Sequence, residues 1–328
     1  MKSNFISNLI LLILIFTFAG CQQSKIELDS VHYYKNQQYE KAFPLLKEDS
    51  KKGNAEAQFY LGEMYSKGHF TQKNAEAALY WYKKSADQNN REAQYNLGQA
   101  YFKGLLGLRK DRQTAFDLFK RSAEDGHADA QVKMAGYYLT GEGVEKDYKE
   151  ALKWYKRSVE EGKKDDKTIY FMIGSMYYNG LGTLKDTSEA AKWYEKAAEK
   201  GDAFSQAMLA MQYYSGQGIL TNMEKAKYWA EKSAEQNYDA GQMMMGILSQ
   251  YGSPEPDMKT AIGWYEKAAR QANPIAQFLL ARSYENGNGV PKDLEKAHAY
   301  YKQAAGGMKS DDLAKAFMEF EAKQKKQN

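Results

Sequence analysis

Apolar and small residues recur along this chain at helical spacing, inside a longer period of about 36 residues. In each period a small residue (Gly62, Gly98, Ala135, Gly174, Ala210, Gly246, Ala281) follows an apolar one (Leu61, Leu97, Met134, Ile173, Leu209, Met245, Leu280). Three positions later stands Tyr65, Tyr101, Tyr138, Tyr177, Tyr213, Ser249 or Tyr284. Offsets of −4, −1, 0 and +3 lie on one helical face, so the pattern predicts an amphipathic first helix. Six residues after the small residue every period has glycine: Gly68, Gly104, Gly141, Gly180, Gly216, Gly252 and Gly287. A left-handed glycine there would end the first helix and turn the chain.

The second helix is equally regular. Asn74, Asp111, Asp147, Asp186, Asn222, Asp257 and Asp293 share one column, and all can accept a hydrogen bond from a free first-turn N–H. Four residues on comes a constant alanine (Ala78, Ala115, Ala151, Ala190, Ala226, Ala261, Ala297), and three later a large side chain. All five tryptophans occupy that last column: Trp81, Trp154, Trp193, Trp229 and Trp264, with Leu118 and Tyr300 completing it. The column is expected to mark the core side of the second helix. Regular placement means that one two-helix unit is stacked on copies of itself.

Composition supports helices rather than sheet or disorder. The chain is 14% aromatic, with 26 Tyr and only 5 Pro. Net charge is +4, and no long basic block precedes Lys323–Gln324–Lys325–Lys326, which reads as a solvated helix end. Nucleic acid is therefore not an expected partner.

These columns resemble the Sel-one-like repeat family, a branch of the tetratricopeptide-like helical arrays. The resemblance covers about residues 54–307 and is closest over 128–159, which ends Ala151–Leu152–Lys153–Trp154–Tyr155–Lys156–Arg157–Ser158–Val159. It implies an all-α fold, a right-handed α-solenoid of about seven helix-turn-helix repeats. Departures are local. Repeat two has Leu118–Phe119 for Trp–Tyr, and repeat four is lengthened at Lys163–Thr168. Repeat six has Gly252–Ser253–Pro254–Glu255–Pro256, which should stiffen its turn. Residues 30–53 read as an N-terminal capping pair and 308–328 as a C-terminal capping helix, since an array needs protected ends.

The N-terminus changes the expected location. Lys2 precedes a short apolar run, Ile10–Phe18, too short for a comfortable membrane span of about 20 residues. Phe18–Ala19–Gly20–Cys21 resembles a bacterial lipobox. The resemblance implies a signal peptide over 1–20, lipidation at Cys21 and a tether over 21–29. Gln22, where Asp would favour the inner membrane, implies the periplasmic face of the outer membrane. Cys21 is the only cysteine, so no disulfide forms within the chain.

Little here points to catalysis, and no cofactor is expected. His32, His69, His127 and His298 fall in different repeats, without the spacing of metal ligands. The Gly-x-Gly pieces recur as helix-joining turns, and the Asp/Asn column is explained by capping. A glutamine column (Gln58, Gln94, Gln131, Gln206, Gln242, Gln277, with Tyr170 substituting) reads as amides bonding to backbone between units. Some family relatives rich in disulfides are connected with penicillin binding. This chain lacks their cysteines and has no Ser-x-x-Lys, which leaves a peptidoglycan- or β-lactam-acting enzyme as a weak alternative.

Function is expected where the repeat is irregular. By analogy with tetratricopeptide arrays, offsets −3, +1 and +4 of the first helices line a concave face. Its ends are polar or charged, while its middle has Phe102, Leu139, Phe171, Tyr178, Met211, Tyr214, Met243 and Ile247, and Tyr95 and Phe278 join these as candidate partner-binding residues. Nine of the 14 Met lie between Met172 and Met258, and Met suits adaptable apolar surfaces. Two readings stay open: a groove for a protein or peptide, or helix-to-helix packing at offset −3. The expected role is a non-enzymatic binding scaffold. The alternative is a periplasmic immunity lipoprotein against a secreted toxic effector, a role that some lipidated relatives play.

Overall fold

In a computed structural model of the chain, residues 30–307 and 311–327 are described. The expected signal peptide, Cys21 and the tether lie outside them. The described residues form helices and no strand, in two compact units, Met1–Lys164 and Asp165–Asn328.

The first unit opens with helix α1 (30–35) and α2 (Tyr39–Lys51). Three helix pairs follow: α3 (Ala55–Lys67) with α4 (Ala75–Asp87), α5 (Arg91–Lys103) with α6 (Arg112–Glu124), and α7 (Ala128–Thr140) with α8 (Tyr148–Glu160). The second unit has four pairs: α9 (Lys167–Asn179) with α10 (Thr187–Glu199), and α11 (Ala203–Ser215) with α12 (Met223–Glu235). The last two are α13 (Asp239–Tyr251) with α14 (Met258–Arg270), and α15 (Pro274–Asn286) with α16 (Leu294–Gly307). Helix α17 (Asp311–Gln327) packs on α16 and buries Phe320. Within each unit, every helix from α2 on packs on its neighbours in sequence, giving an all-α solenoid arrangement. No helix among the described residues is long and apolar enough to cross a membrane.

The Asp/Asn column caps the second helices as its chemistry predicts. Asn74 accepts from the Ala77 N–H at 2.9 Å, Asp111 from Thr114 at 3.0 Å and Asp186 from Glu189 at 2.9 Å. Asp147, Asn222, Asp257 and Asp293 do the same. Most first helices also carry side-chain caps that the sequence reading missed: Asn54, Asn90, His127, Asp166, Asp202 and Asn273. The terminating glycines are left-handed at six of seven repeats. Gly252 is the exception, at φ −82°, because the Pro-containing loop of repeat six leaves α13 without a left-handed turn.

The tryptophan column is buried at Trp154, Trp193 and Trp229, but in most repeats the residue after it lies deeper still. Tyr82, Phe119, Tyr155, Tyr194, Tyr265 and Tyr301 are buried, whereas Trp81 and Trp264 are only half-buried. Four of the small residues of the first helices, Gly62, Gly98, Gly174 and Gly246, make room for this ring. A Cβ on Gly62 or Gly174 would come 2.8 Å from the ring of Tyr82 or Tyr194, and one on Gly98 2.9 Å from Phe119. Repeat five, with Ala210 in its first helix, has Ala230 in place of the ring.

Polar groups join consecutive repeats. Glutamine amides donate to the end of the preceding helix: Gln58 to the Ser50 carbonyl at 3.0 Å, Gln131 to Ala123 at 3.2 Å and Gln206 to Ala198 at 3.0 Å. At Gln58, Gln206 and Gln242 the carbonyl oxygen also accepts from a second amide just past the next helix, whereas Gln131 and Gln277 Oε1 have no partner among the described residues. Gln88 donates to Gln58 at 2.8 Å, Gln236 to Gln206 at 2.8 Å and Gln271 to Gln242 at 2.9 Å. In repeat two Asp125 takes this place, and the Gln94 carbonyl oxygen has no partner. Along the rim, Lys35 meets Glu56 at 3.1 Å, His127 meets Glu92 at 2.9 Å and Lys164 meets Asp129 at 2.6 Å in the first unit. Lys200 meets Asp165 at 2.6 Å in the second.

Candidate binding surface

The first helices present their offsets +1 and +4 away from the glutamine seam, and the buried rings reach through to this side. Tyr194 donates to the Ser175 hydroxyl at 3.3 Å, Tyr265 to Gln250 Oε1 at 2.8 Å and Tyr301 to Glu285 Oε2 at 2.8 Å. The acceptors are all groove positions of the sequence reading, so in repeats four, six and seven the core ring fixes a side chain on the open face. Burial pushes the Tyr194 phenol up to about 12, and pushes those of Tyr82, Tyr265 and Tyr301 further in the same direction. None is poised to act as a base near neutral pH.

In the first unit Tyr95 is half-buried and largely committed to packing. Its ring stacks on His127 with centroids 4.3 Å apart, lies 5.6 Å from Phe119, and its hydroxyl accepts from Gln99 at 2.8 Å. His127 is itself structural: Nδ1 accepts the Ala130 N–H at 3.2 Å, and Nε2 faces Glu92 at 2.9 Å. The His127 hydrogen bond, against the burial that opposes it, holds the Glu92 carboxyl below its usual range. Phe102 and Leu139 are half-buried, with the Lys133 ammonium 5.6 Å from the Phe102 ring. Glu63, a polar end position in the sequence, gathers Tyr34 at 3.0 Å, Asn96 at 3.3 Å, Tyr82 at 3.4 Å and Lys67. That convergence joins α1, α3, α4 and α5, and no sequence period signals it.

In the second unit Phe171 packs edge-on to Phe204 at 5.0 Å, and Phe278 to Tyr301 at 5.8 Å. Met243 is only 2% exposed and belongs to the core, so it offers no binding surface. Tyr178, Met211, Tyr214 and Ile247 are different. They sit on α9, α11 and α13, rest against the core and remain half-buried. The Lys185 ammonium lies 5.3 Å from the Tyr178 ring, whose hydroxyl donates to Gln217 at 3.4 Å.

The histidines serve packing and capping. His69 stacks on Tyr39 at 4.2 Å, and His298 faces Glu321 at 3.3 Å. Among the described residues no group of three or more His, Cys, Asp or Glu is placed to hold a metal.

Comparison with known proteins accounts for the periodicity. The Sel1 repeat family matches seven times, at residues 55–90, 91–127, 128–163, 170–202, 203–238, 239–273 and 274–306. The gap at 164–169 falls in the stretch that lengthens repeat four. Among solved structures, a protective antigen of uropathogenic Escherichia coli strains displaying an SLR fold is 28% identical, with a TM-score of 0.58 over 86% of this chain. This chain spans 64% of the length of that antigen. A Sel1 repeat protein from Oxalobacter formigenes is 36% identical, with a TM-score of 0.55, over 74% of this chain and 96% of its own. No curated protein matches. Seven tandem matches, each laid on a helix pair whose second helix has the same Asp/Asn cap, place the chain in the Sel1 repeat family, a fold that is typically a scaffold for protein–protein interaction.

Proposed function

We propose that this chain is a non-enzymatic scaffold that captures an apolar segment of a partner protein on the open face of its first helices. The supporting observation is the set Tyr178, Met211, Tyr214 and Ile247, on three consecutive first helices of the second unit. Each is backed by core on one side and open on the other. Such side chains are rigid enough to anchor a partner and lose little entropy on binding, and Met adapts to shape. Tyr95, Phe171 and Phe278 are tied to neighbouring rings and contribute support rather than capture. Phe102 and Leu139 supply a smaller apolar patch on the first unit.

The anchoring part of the proposal is a diacylglycerol thioether at Cys21, holding the scaffold on the periplasmic face of the outer membrane. It is supported by the Phe18–Ala19–Gly20–Cys21 sequence behind a short apolar run.

The test is capture of partners from envelope extract by the intact chain and by a Tyr178→Ser, Met211→Ser, Tyr214→Ser triple variant, with mass spectrometry as the readout. Loss of specific partners at unchanged helicity is the expected result. Undiminished capture by the variant rules out this face.

A further inference from the structure

The two loops that join the helices of repeats one and two carry net positive charge, unlike any later one. Phe70, 56% exposed, and Leu105, 49% exposed, project from them. Around these stand Lys73, Lys103, Arg109 and Lys110, all exposed and none with a carboxylate partner among the described residues. Lys67 and Arg112 are paired, with Glu63 and Glu142. The only carboxylate within the two loops is Asp111, which is occupied in capping α6. The corresponding loop of repeat three has Glu142 and Glu145 instead. Phe70 also holds φ at 56°, a left-handed conformation that repeats three, four, five and seven give to Gly143, Gly182, Gly218 and Gly289. A bulky side chain therefore occupies a position that four of the five repeats after repeat two give to glycine.

Parallel first helices bring successive loops to the same edge of the first unit. We infer that this edge docks on an anionic phospholipid surface, with Phe70 and Leu105 entering the headgroup region and the four free cations facing lipid phosphates. Exposed apolar tips ringed by unpaired cations suit an interface that is fluid and negatively charged, and they form no groove that would shape itself to a protein. Chain length agrees. Helix α1 runs only from 30 to 35, so residue 30 stands about 9 Å from its far end, where the Tyr34 ring lies 6.3 Å from that of His69 in the loop of repeat one. The eight residues from 22 to 29 reach at most about 28 Å. A membrane anchor at Cys21, which is the anchoring half of the preceding proposal, would thus leave this edge within reach of the bilayer. Leu184 and Leu220 are more exposed, but Lys185 is the one basic neighbour in their loops, beside the acidic cap Asp186. They therefore make a control.

The experiment uses the full chain with Cys21→Ser, which removes lipidation, and a single new cysteine at Leu105→Cys or Leu184→Cys carrying a bimane fluorophore. Vesicles of phosphatidylcholine with phosphatidylglycerol carry a nitroxide on the lipid headgroup. Quenching at position 105 well above that at 184, absent on pure phosphatidylcholine, is the expected result. Replacing Lys73, Lys103, Arg109 and Lys110 by Gln should lower the apparent vesicle affinity of the 105 probe by roughly fivefold per cation removed. Equal quenching at the two positions, or no effect of the four substitutions, overturns the inference. So does shielding of position 105 by added envelope protein but not by vesicles. Any N-terminal contribution to vesicle binding is common to both probes, and no outcome depends on whether Cys21 is lipidated or the first-helix face captures a partner.

Discussion

The ring of Tyr265 occupies the space that a side chain on Gly246 would need, more tightly than at any of the other three Gly–ring sockets. Helix α13 can approach α14 this closely only because Gly246 has no Cβ. Gly246→Ala should therefore cost about 1–3 kcal/mol as overpacking. Gly62→Ala, Gly98→Ala and Gly174→Ala should cost less, in line with their wider gaps. Gly263→Ala is the matched control, since a Cβ there meets nothing within 4 Å. It should stabilise α14 by roughly 0.5–1 kcal/mol. Urea denaturation of the five variants checks the order.

Repeat two offers a gain in stability. Gln88, Gln236 and Gln271 each donate to the buried amide before them, whereas Asp125 has the same backbone conformation and leaves Gln94 Oε1 without a donor. Among the described residues the Asp125 side chain makes no hydrogen bond or ion pair that a substitution would lose. Asp125→Gln should raise stability by roughly 0.5–1.5 kcal/mol. The gain should vanish in a Gln94→Leu background, and a double-mutant cycle by thermal denaturation measures it.

Alkaline stability should follow the buried phenols. Burial raises Tyr194 from an ordinary value of 10.0 to about 12. The folded state then keeps its proton where the unfolded state has lost it, so the contribution is complete below pH 10 and disappears as pH rises toward 12. Tyr194→Phe removes that dependence and should flatten the fall in melting temperature over this window. A variant that falls as steeply as the parent would show that Tyr194 is not protected.

His127 carries three interactions at once, through Ala130, Glu92 and Tyr95. His127→Ala should cost about 1–2 kcal/mol for the cap alone. His127→Asn, which restores the cap used by Asn54 and Asn90, should recover much of that loss but not the stacking on Tyr95. Circular dichroism melts of the two variants separate these parts.

The repeat frame was legible in the sequence because caps, glutamines and glycines answer local backbone needs that recur identically. The Asp111 and Asp186 caps and the Gln58 and Gln206 amides follow from residue type and spacing alone. The depth of the rings did not. Trp is rare enough to draw the eye, yet its bulk leaves Trp81 and Trp264 half outside, while Tyr82 and Tyr265 fill the glycine sockets. Offset angles place Met243 and Met211 on related faces of a helix. They do not say which will be covered by neighbouring helices, and Met243 is. Glu63 lay beyond any periodic argument, since its donors come from four different helices.

The side-chain hydrogen bond with the longest reach among the described residues spans 39 positions, from Tyr178 to Gln217. Each repeat is thus informed only by those beside it. Contact order stays low, loop closure during folding is short and repeated, and a nucleus can form at any interior pair and spread outward. The same locality permits fraying from an end to halt at the next intact seam, so part of the chain can open while its neighbours stay closed. Hydrogen exchange should then show protection graded along each unit rather than one global value.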